Sequence, residues 1–440
     1  MAKSSSINAW VITGCLAAFV VTLVLLKVLG ANDPVLAAIL LITVPAAVNF
    51  ALDLILEKVH LRPSTGLDWK KRNYSLKRSA IKYVGFAGTV GVVLFLYWLF
   101  PEYSDPFYHG FRRLLYLALP VVFVIAGPYI YFVDARMKEP LDSYYEVGRI
   151  ILEGPEKIKV AVLKQHALAW AVKAFFIPLM FVYFVNDLNV FFLFDFSSIT
   201  SFHAFFNRFQ EMAFLFDVGF GTMGYIMSLR LFDTHVRSAE PTMTGWISAL
   251  ICYQPFFSIF GRYYSNYQTG HDWTVWFGNY PVLLYIWGTL IMALYLIYAW
   301  ATIIFGCRFS NLTHRGIITN GPSAFLKHPA FVSKNLSWWL VSLPMLSAAG
   351  PMDAFKRCLM LLIINAIYFL RAKTEERHLS FDKDYVEYSN HIDKRDTKIW
   401  KRFKFLYEGA ANEFQRKTSD LFLFGLLKRS AISKRSSGKN

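Results

Sequence analysis

At 440 residues, with 17% charged and 55% apolar or aromatic residues, the chain lies far from a soluble protein, in which about a quarter of residues carry charge. Its formal net charge of +16 is concentrated in particular loops, a topological pattern that speaks against nucleic acid and for anionic lipid headgroups as partners. Cys15, Cys252, Cys307 and Cys358 are scattered in or beside apolar runs with no CxxC pair or Cys/His ligand spacing, so they read as packing residues rather than a disulfide framework or a zinc site.

Many apolar runs reach the roughly 18–20 residues that cross a hydrocarbon core of about 30 Å. The expected fold is therefore all-α and polytopic, with about ten transmembrane helices, because helices satisfy their own backbone in lipid. Spans are predicted over 9–29, 34–56, 83–100, 114–133, 167–184, 212–231, 244–260, 281–305, 336–349 and 355–370. The first run is longer than a signal-peptide core of about 7–15 residues and reads as a retained span.

Basic residues orient the spans. The loop after the second span carries Lys58, Arg62, Lys70, Lys71, Arg72, Lys77 and Arg78, and the loop after the fourth carries Arg136, Lys138, Arg149, Lys157, Lys159 and Lys164. The loop after the third has no basic residue before Arg112. Both chain ends are accordingly expected in the cytoplasm. The aromatic-rich segments 186–209 and 262–280 then fall outside, with Tyr263, Tyr264, Trp273 and Trp276 suited to an interfacial belt.

Ionisable residues in or near spans include Asp53, His166, Lys173 and Asp217, of which Asp217 is the best candidate for a substrate or proton path, followed by Asp233 and His235 on a cytoplasmic loop. Gly219–Gly224 suggests a break in the sixth span. The sequons at Asn73, Asn311 and Asn335 fall in the cytoplasm or the membrane on this topology and read as chance matches. Residues 1–280 form a multi-span region of unknown role, 281–395 a membrane module, and 396–440 a basic amphipathic cytoplasmic tail with interfacial aromatic clusters such as Trp400, Phe403 and Phe405.

The most informative stretch is RGIITNGPSAFLKHPAF, from Arg315 to Phe331, followed by Trp338 and, after an apolar hairpin, by RAKTEE from Arg371 to Glu376. Gly316, Gly321, Pro322 and Pro329 make a turn-rich connection that carries Lys327 and His328 to the mouth of a span. The hairpin returns the chain to the same face, gathering Arg371, Glu375 and Glu376 near His328. Arg371 and Glu375 are i,i+4 neighbours, while Glu375 and Glu376 point about 100° apart and are not expected to face one ligand atom. Taken singly, a His-Pro pair at a helix start and charged i,i+4 neighbours at a helix end are ordinary structural features; their linkage is what singles them out.

This stretch resembles the isoprenylcysteine carboxyl methyltransferase and phospholipid methyltransferase superfamily of membrane enzymes. Lys327, His328 and Pro329 followed by Trp338 resemble its Arg-His-Pro and Trp, and Arg371 to Glu376 resembles its Arg-x-Arg/Lys-x-Glu-Glu. Gly316 to Pro322 resembles its lead-in, and Leu379, Phe381, Tyr385 and Tyr388 resemble its downstream Leu, Phe and paired Tyr. The chain departs from the pattern at Ser323, Lys327, Phe331 and Asp382, where the family has an aromatic, Arg, Tyr and Gly.

The resemblance implies an S-adenosylmethionine-dependent methyltransferase acting on a membrane-embedded lipid or lipidated acceptor, with its catalytic face cytoplasmic. His328 and Glu376 would hold the cofactor, Lys327, Pro329, Phe331 and Trp338 would shape its pocket, and Arg371 and Glu375 would orient or deprotonate the acceptor. The alternatives are an NADPH-dependent sterol-reductase-like enzyme of the same superfamily, and a transporter or non-catalytic scaffold carried by the N-terminal spans. The acceptor and the oligomeric state are left open.

Overall fold

Helix boundaries follow capping chemistry along most of the chain. Asn8 accepts from Trp10 N–H to start α1 (Ala9–Val28), and Asp33 accepts from Val35 and Leu36 N–H to start α2 (Pro34–Leu56), whose first residue is a proline that needs no N–H there. Ser75 caps α3 (Leu76–Leu99), and Asp142 caps the short α5 (Ser143–Glu153) that follows α4 (His109–Asp134). α6 (Val160–Leu193) is long, and Ser201 caps α7 (Phe202–Ile226). After β1 (Ser238–Ala239) come α8 (Met243–Leu250), α9 (Phe256–Tyr263), α10 (Trp273–Phe277) and α11 (Pro281–Ile303); β2 (Thr313–His314), α12 (Pro329–Ser342) and α13 (Pro351–Leu379) close the order. The computed structural model describes residues 5–155, 158–263, 266–268 and 270–396. Lys3–Tyr385 is one compact unit holding all these elements, and a second begins at Val386. The predicted interfacial helices of the tail lie outside the described residues.

The protein is mostly helical, and six helices among the described residues, α1, α2, α3, α4, α6 and α11, are long and apolar enough to cross a membrane. Their shared core is aromatic: Phe19 of α1 lies 6.1 Å from Phe184 of α6 and 5.2 Å from both Phe216 and Phe220 of α7, ring centre to ring centre. Cys15 and Cys307 are buried in this core. The glycines of α7 serve that packing. A methyl on Gly219 would sit 2.8 Å from the Phe184 ring, and one on Gly224 would sit 2.5 Å from the Phe309 carbonyl oxygen. α7 is continuous through this stretch, so Gly219–Gly224 marks close approach and not the expected break.

Three further expectations change. The predicted span 244–260 is two short helices, because the chain turns over 251–255 and Pro255 has no N–H to continue the ladder. The predicted span 336–349 is helical only to Ser342, where Leu343 takes a left-handed conformation and Pro344 follows. Trp273 belongs to the core and not to an interfacial belt: it is 2% exposed, with its ring 4.8 Å from that of Phe206. Side chains of Tyr263 and Tyr264 lie outside the described residues.

Buried ionisable side chains are hydrogen-bonded, some to ions and some to neutral groups. Asp53 and Arg308, both fully buried, meet at 3.2 Å, and Asn49 donates to Asp53 at 2.8 Å. Asp217 accepts from Tyr298 at 2.8 Å and from Thr302, which ties α7 to α11. Both Asp217 oxygens are thus hydrogen-bonded, as a buried polar group requires. Arg315 is buried and donates to the carbonyls of Gly224, Phe309, Cys307 and Thr234, locking the end of α7 to the segment that leads into β2.

Candidate active site

The site forms where the first turn of α12 meets the last turns of α13. Pro329 opens α12 with a preset backbone angle, leaving His328 just outside the helix. His328 Nε2 is 3.2 Å from Glu376 Oε1, and His328 Nδ1 is 3.9 Å from Glu375 Oε2. The two carboxylates flank one imidazole because its nitrogens point to different sides. Their 100° offset on the helix, which argued against a shared target, suits a ring with two polar edges.

Lys373 also meets Glu376, at 2.7 Å. The hydrogen bond from His328, with Lys373 and against partial burial, holds the Glu376 carboxyl down at about 2. The His328 ring stacks on Phe331 one turn further on, with centres 5.4 Å apart and planes within 2° of parallel. Phe331 and Trp338 both meet Tyr368 of α13 edge-on, at 5.6 and 5.4 Å. Lys327 is half-buried and Pro329 buried at the same corner.

Arg371 lies deeper, 6% exposed, with its guanidinium 4.7 Å from the centre of the Phe331 ring. It donates to Asn311 Oδ1 at 2.6 Å, and Asn311 in turn donates to Tyr225 at 2.6 Å and Tyr253 at 2.8 Å. No carboxylate meets Arg371 among the described residues, so the i,i+4 neighbours Arg371 and Glu375 do not form an ion pair. Both instead line a cavity of about 20 Å³ with Glu240, Asn311, Thr374 and His378.

The short ribbon positions the far wall of that cavity. Ser238 pairs with His314 in antiparallel register, and the Ser238 hydroxyl lies 2.9 Å from His378 Nε2. Glu240 is buried and accepts from Arg377 at 3.2 Å; its second oxygen has no hydrogen-bond partner. Burial holds the His378 imidazole below its ordinary range, against the raising influence of Glu240. At the other end of α13, Arg357 donates to the carbonyls of Asn266, at 3.1 Å, and Gln268, at 2.6 Å. The segment from α8 to Gln268 therefore meets α13 near both of its ends. In the middle, Trp339 and Asn335 of α12 hydrogen-bond Asn365 of α13.

All the residues singled out from the motif thus gather at one corner, Lys327, His328, Pro329, Phe331, Trp338 and Glu376 on one side and Arg371 and Glu375 on the cavity side. Sequence reasoning missed Tyr253, Tyr368, Glu240 and His378, and read Asn311 only as a chance sequon. Glu240, Tyr253 and Asn311 come from segments 40 or more residues before α13, and nothing local marks them. Tyr368, one turn before Arg371 on the same helix, was within reach of the i,i+3 rule.

The donor chemistry fits a cationic amino-acid-like group: carboxylates at Glu375 and Glu376, the oxygen of Glu240 without a hydrogen-bond partner, and aromatic faces at Phe331, Trp338 and Tyr368. The enclosed space takes only a small part of a cofactor-sized ligand, so the rest would lie outside it. No family model, curated protein or solved structure matches the chain.

Proposed function

We propose that the chain crosses the membrane ten times with both ends on the cytoplasmic face, and that its C-terminal module transfers a methyl group from S-adenosylmethionine to a membrane-held lipophilic acceptor. The crossings would be the six long apolar helices, α7, the α8–α9 pair, α12 and α13, with the basic segments 57–75 and 135–159 cytoplasmic. The observation that carries the catalytic reading is the meeting of His328 and Glu376, 48 residues apart in the chain and 3.2 Å apart in space.

The bound donor would supply an electrophilic methyl on a sulfonium sulfur. Glu376, ionised throughout the physiological range, offers charge to the donor's cationic end, and His328 holds that carboxylate in place. Phe331 and Trp338 present ring faces to positive charge. Arg371, which has no carboxylate partner of its own, would clamp an acceptor carboxylate. Glu375, half-exposed beside it, would take the proton released when an amine is methylated. Holding donor and acceptor in line and excluding water accounts for the acceleration asked of these residues.

Titration calorimetry of the detergent-purified protein with S-adenosylmethionine, S-adenosylhomocysteine and NADPH tests the assignment. Saturable binding of the first two, abolished by Glu376→Ala and His328→Ala in folded protein, is the expected result. Binding of NADPH alone would make the chain a reductase, and binding of none would leave a scaffold or transporter.

A further inference from the structure

α4 is fully buried only near its ends, and between them it touches α3 through Phe123, whose ring lies 5.8 Å from that of Phe86 and whose carbonyl accepts from Tyr83 at 3.3 Å. Phe111 and Leu114 are buried near its start and Val133 and Asp134 at its finish, with none buried between. Pro120 and Pro128 fall in that unburied stretch, where each removes a rung of the helical ladder. Behind it lies a cavity of about 1280 Å³ walled by α2, α3, α4 and α6. Along α3 the wall runs from Lys82 through Phe86, Val90 and Val93 to Tyr97, a helical rise of roughly 22 Å at ~1.5 Å per residue. Its wall is mostly apolar and includes exposed residues of α4 such as Val121 and Ile125, so the cavity is open on that side, and apolar room on this scale suits hydrocarbon chains.

The wall changes character at the cytoplasmic ends of α3 and α4. The carboxylates there are already engaged: Lys82 meets Asp134 at 2.8 Å and Asp142 at 3.4 Å, and Arg78 meets Asp134 at 2.6 Å. Arg237 pairs with Asp233 at 3.2 Å. Lys173 and Arg230 have no carboxylate partner among the described residues; Lys173 sits 5.1 Å above the Trp170 ring and Arg230 donates to the Thr65 carbonyl at 3.0 Å. His235, on the same wall, has a buried Nδ1 without a hydrogen-bond partner. Its imidazole is held well below the ordinary range by burial and by the cations Arg230, Arg237, Arg315 and Lys173 around it. One end of a long apolar cavity therefore gathers basic side chains that have no carboxylate partner among the described residues.

We propose that this cavity binds an anionic glycerophospholipid, its acyl chains along α3 and α4 and its phosphate against Lys173 and Arg230. The site is independent of the methyl-donor assignment and gives the N-terminal region a role of its own. A zwitterionic headgroup would bring a quaternary ammonium of its own beside those basic groups, so charge selects the lipid class.

Delipidated full-length protein titrated with phosphatidylglycerol and with phosphatidylcholine should bind the former roughly tenfold more tightly. Lys173→Met with Arg230→Gln should remove that preference, and Ala118→Trp with Ala126→Trp, which fill the cavity, should remove binding of both lipids. Equal affinity for the two lipids in the wild type, or undiminished phosphatidylglycerol binding by the folded, filled variant, would overturn the assignment. Should a variant not fold, phosphatidylglycerol with brominated chains decides: it should quench a fluorescence component that Trp170→Phe abolishes, and an identical quenching curve for that variant would refute the site.

Discussion

Glu376 owes its lowered carboxyl to neighbours that the folded chain supplies, and this makes stability depend on pH in a defined sense. Its carboxyl sits at about 2 in the fold against about 4.3 for an unperturbed Glu. A depressed carboxyl contributes stability that is fully present above the unfolded value and is lost as pH falls through the folded one. The melting temperature of wild type should therefore exceed that of Glu376→Gln at pH 6, with about half of the gap gone by about pH 3 and most of it by about pH 2. At Arg371, removal of the guanidinium by Arg371→Met would leave Asn311 Oδ1 buried without its donor, at a cost of about 1–3 kcal/mol. Arg371→Lys should recover only part of that, since an ammonium cannot both stack on Phe331 and reach Asn311 as the planar group does. Denaturation in a fixed detergent distinguishes the three proteins.

Between elements, the closest approach is that of α3 and α5. A methyl on Gly85 would lie 1.9 Å from the Tyr144 carbonyl oxygen, and one on Gly148 would lie 1.8 Å from that of Ile81. The helices pack backbone to backbone, as small residues permit. Gly85→Ala should force them apart and destabilise the protein by about 1–3 kcal/mol, whereas Gly91→Ala on the same helix, which meets nothing within 4 Å, should be neutral or slightly stabilising. Thermal melts of the pair, read against wild type, separate packing from helix propensity. The amphipathic α5 itself lay in what the sequence presented as a charged loop, because its 11 residues are too few to register as a span. Span boundaries failed where hydropathy continues past a backbone break, at Pro255 and at Leu343–Pro344. A sliding apolar window does not register a missing N–H.

Across the whole molecule, the ten-crossing topology makes a prediction that length and apolarity alone do not. In cysteine-free protein in sealed vesicles, a thiol introduced by Ser104→Cys, in the exposed turn after α3, should react with membrane-impermeant reagent from one side. One introduced by Ser380→Cys, just past α13, should react only from the other. Labelling of both from the same side would refute the topology.

What the chain declares by itself is what depends on local order. Long apolar runs dictate spanning helices, since lipid leaves the backbone no other way to satisfy its polar groups, and a proline after His328 with Arg371, Glu375 and Glu376 on one later helix is visible as spacing. Tertiary structure decided the rest. It set Glu375 and Glu376 on either side of one imidazole, gave Arg371 an amide and aromatic faces in place of a carboxylate, and brought Glu240, Tyr253 and Asn311 to the corner from distant segments. It also left, beside α4, a cavity whose basic end is assembled from α6 and the segment after α7. These are long-range pairings, and a period of 3.6 residues says which face of a helix is apolar without saying what that face will meet.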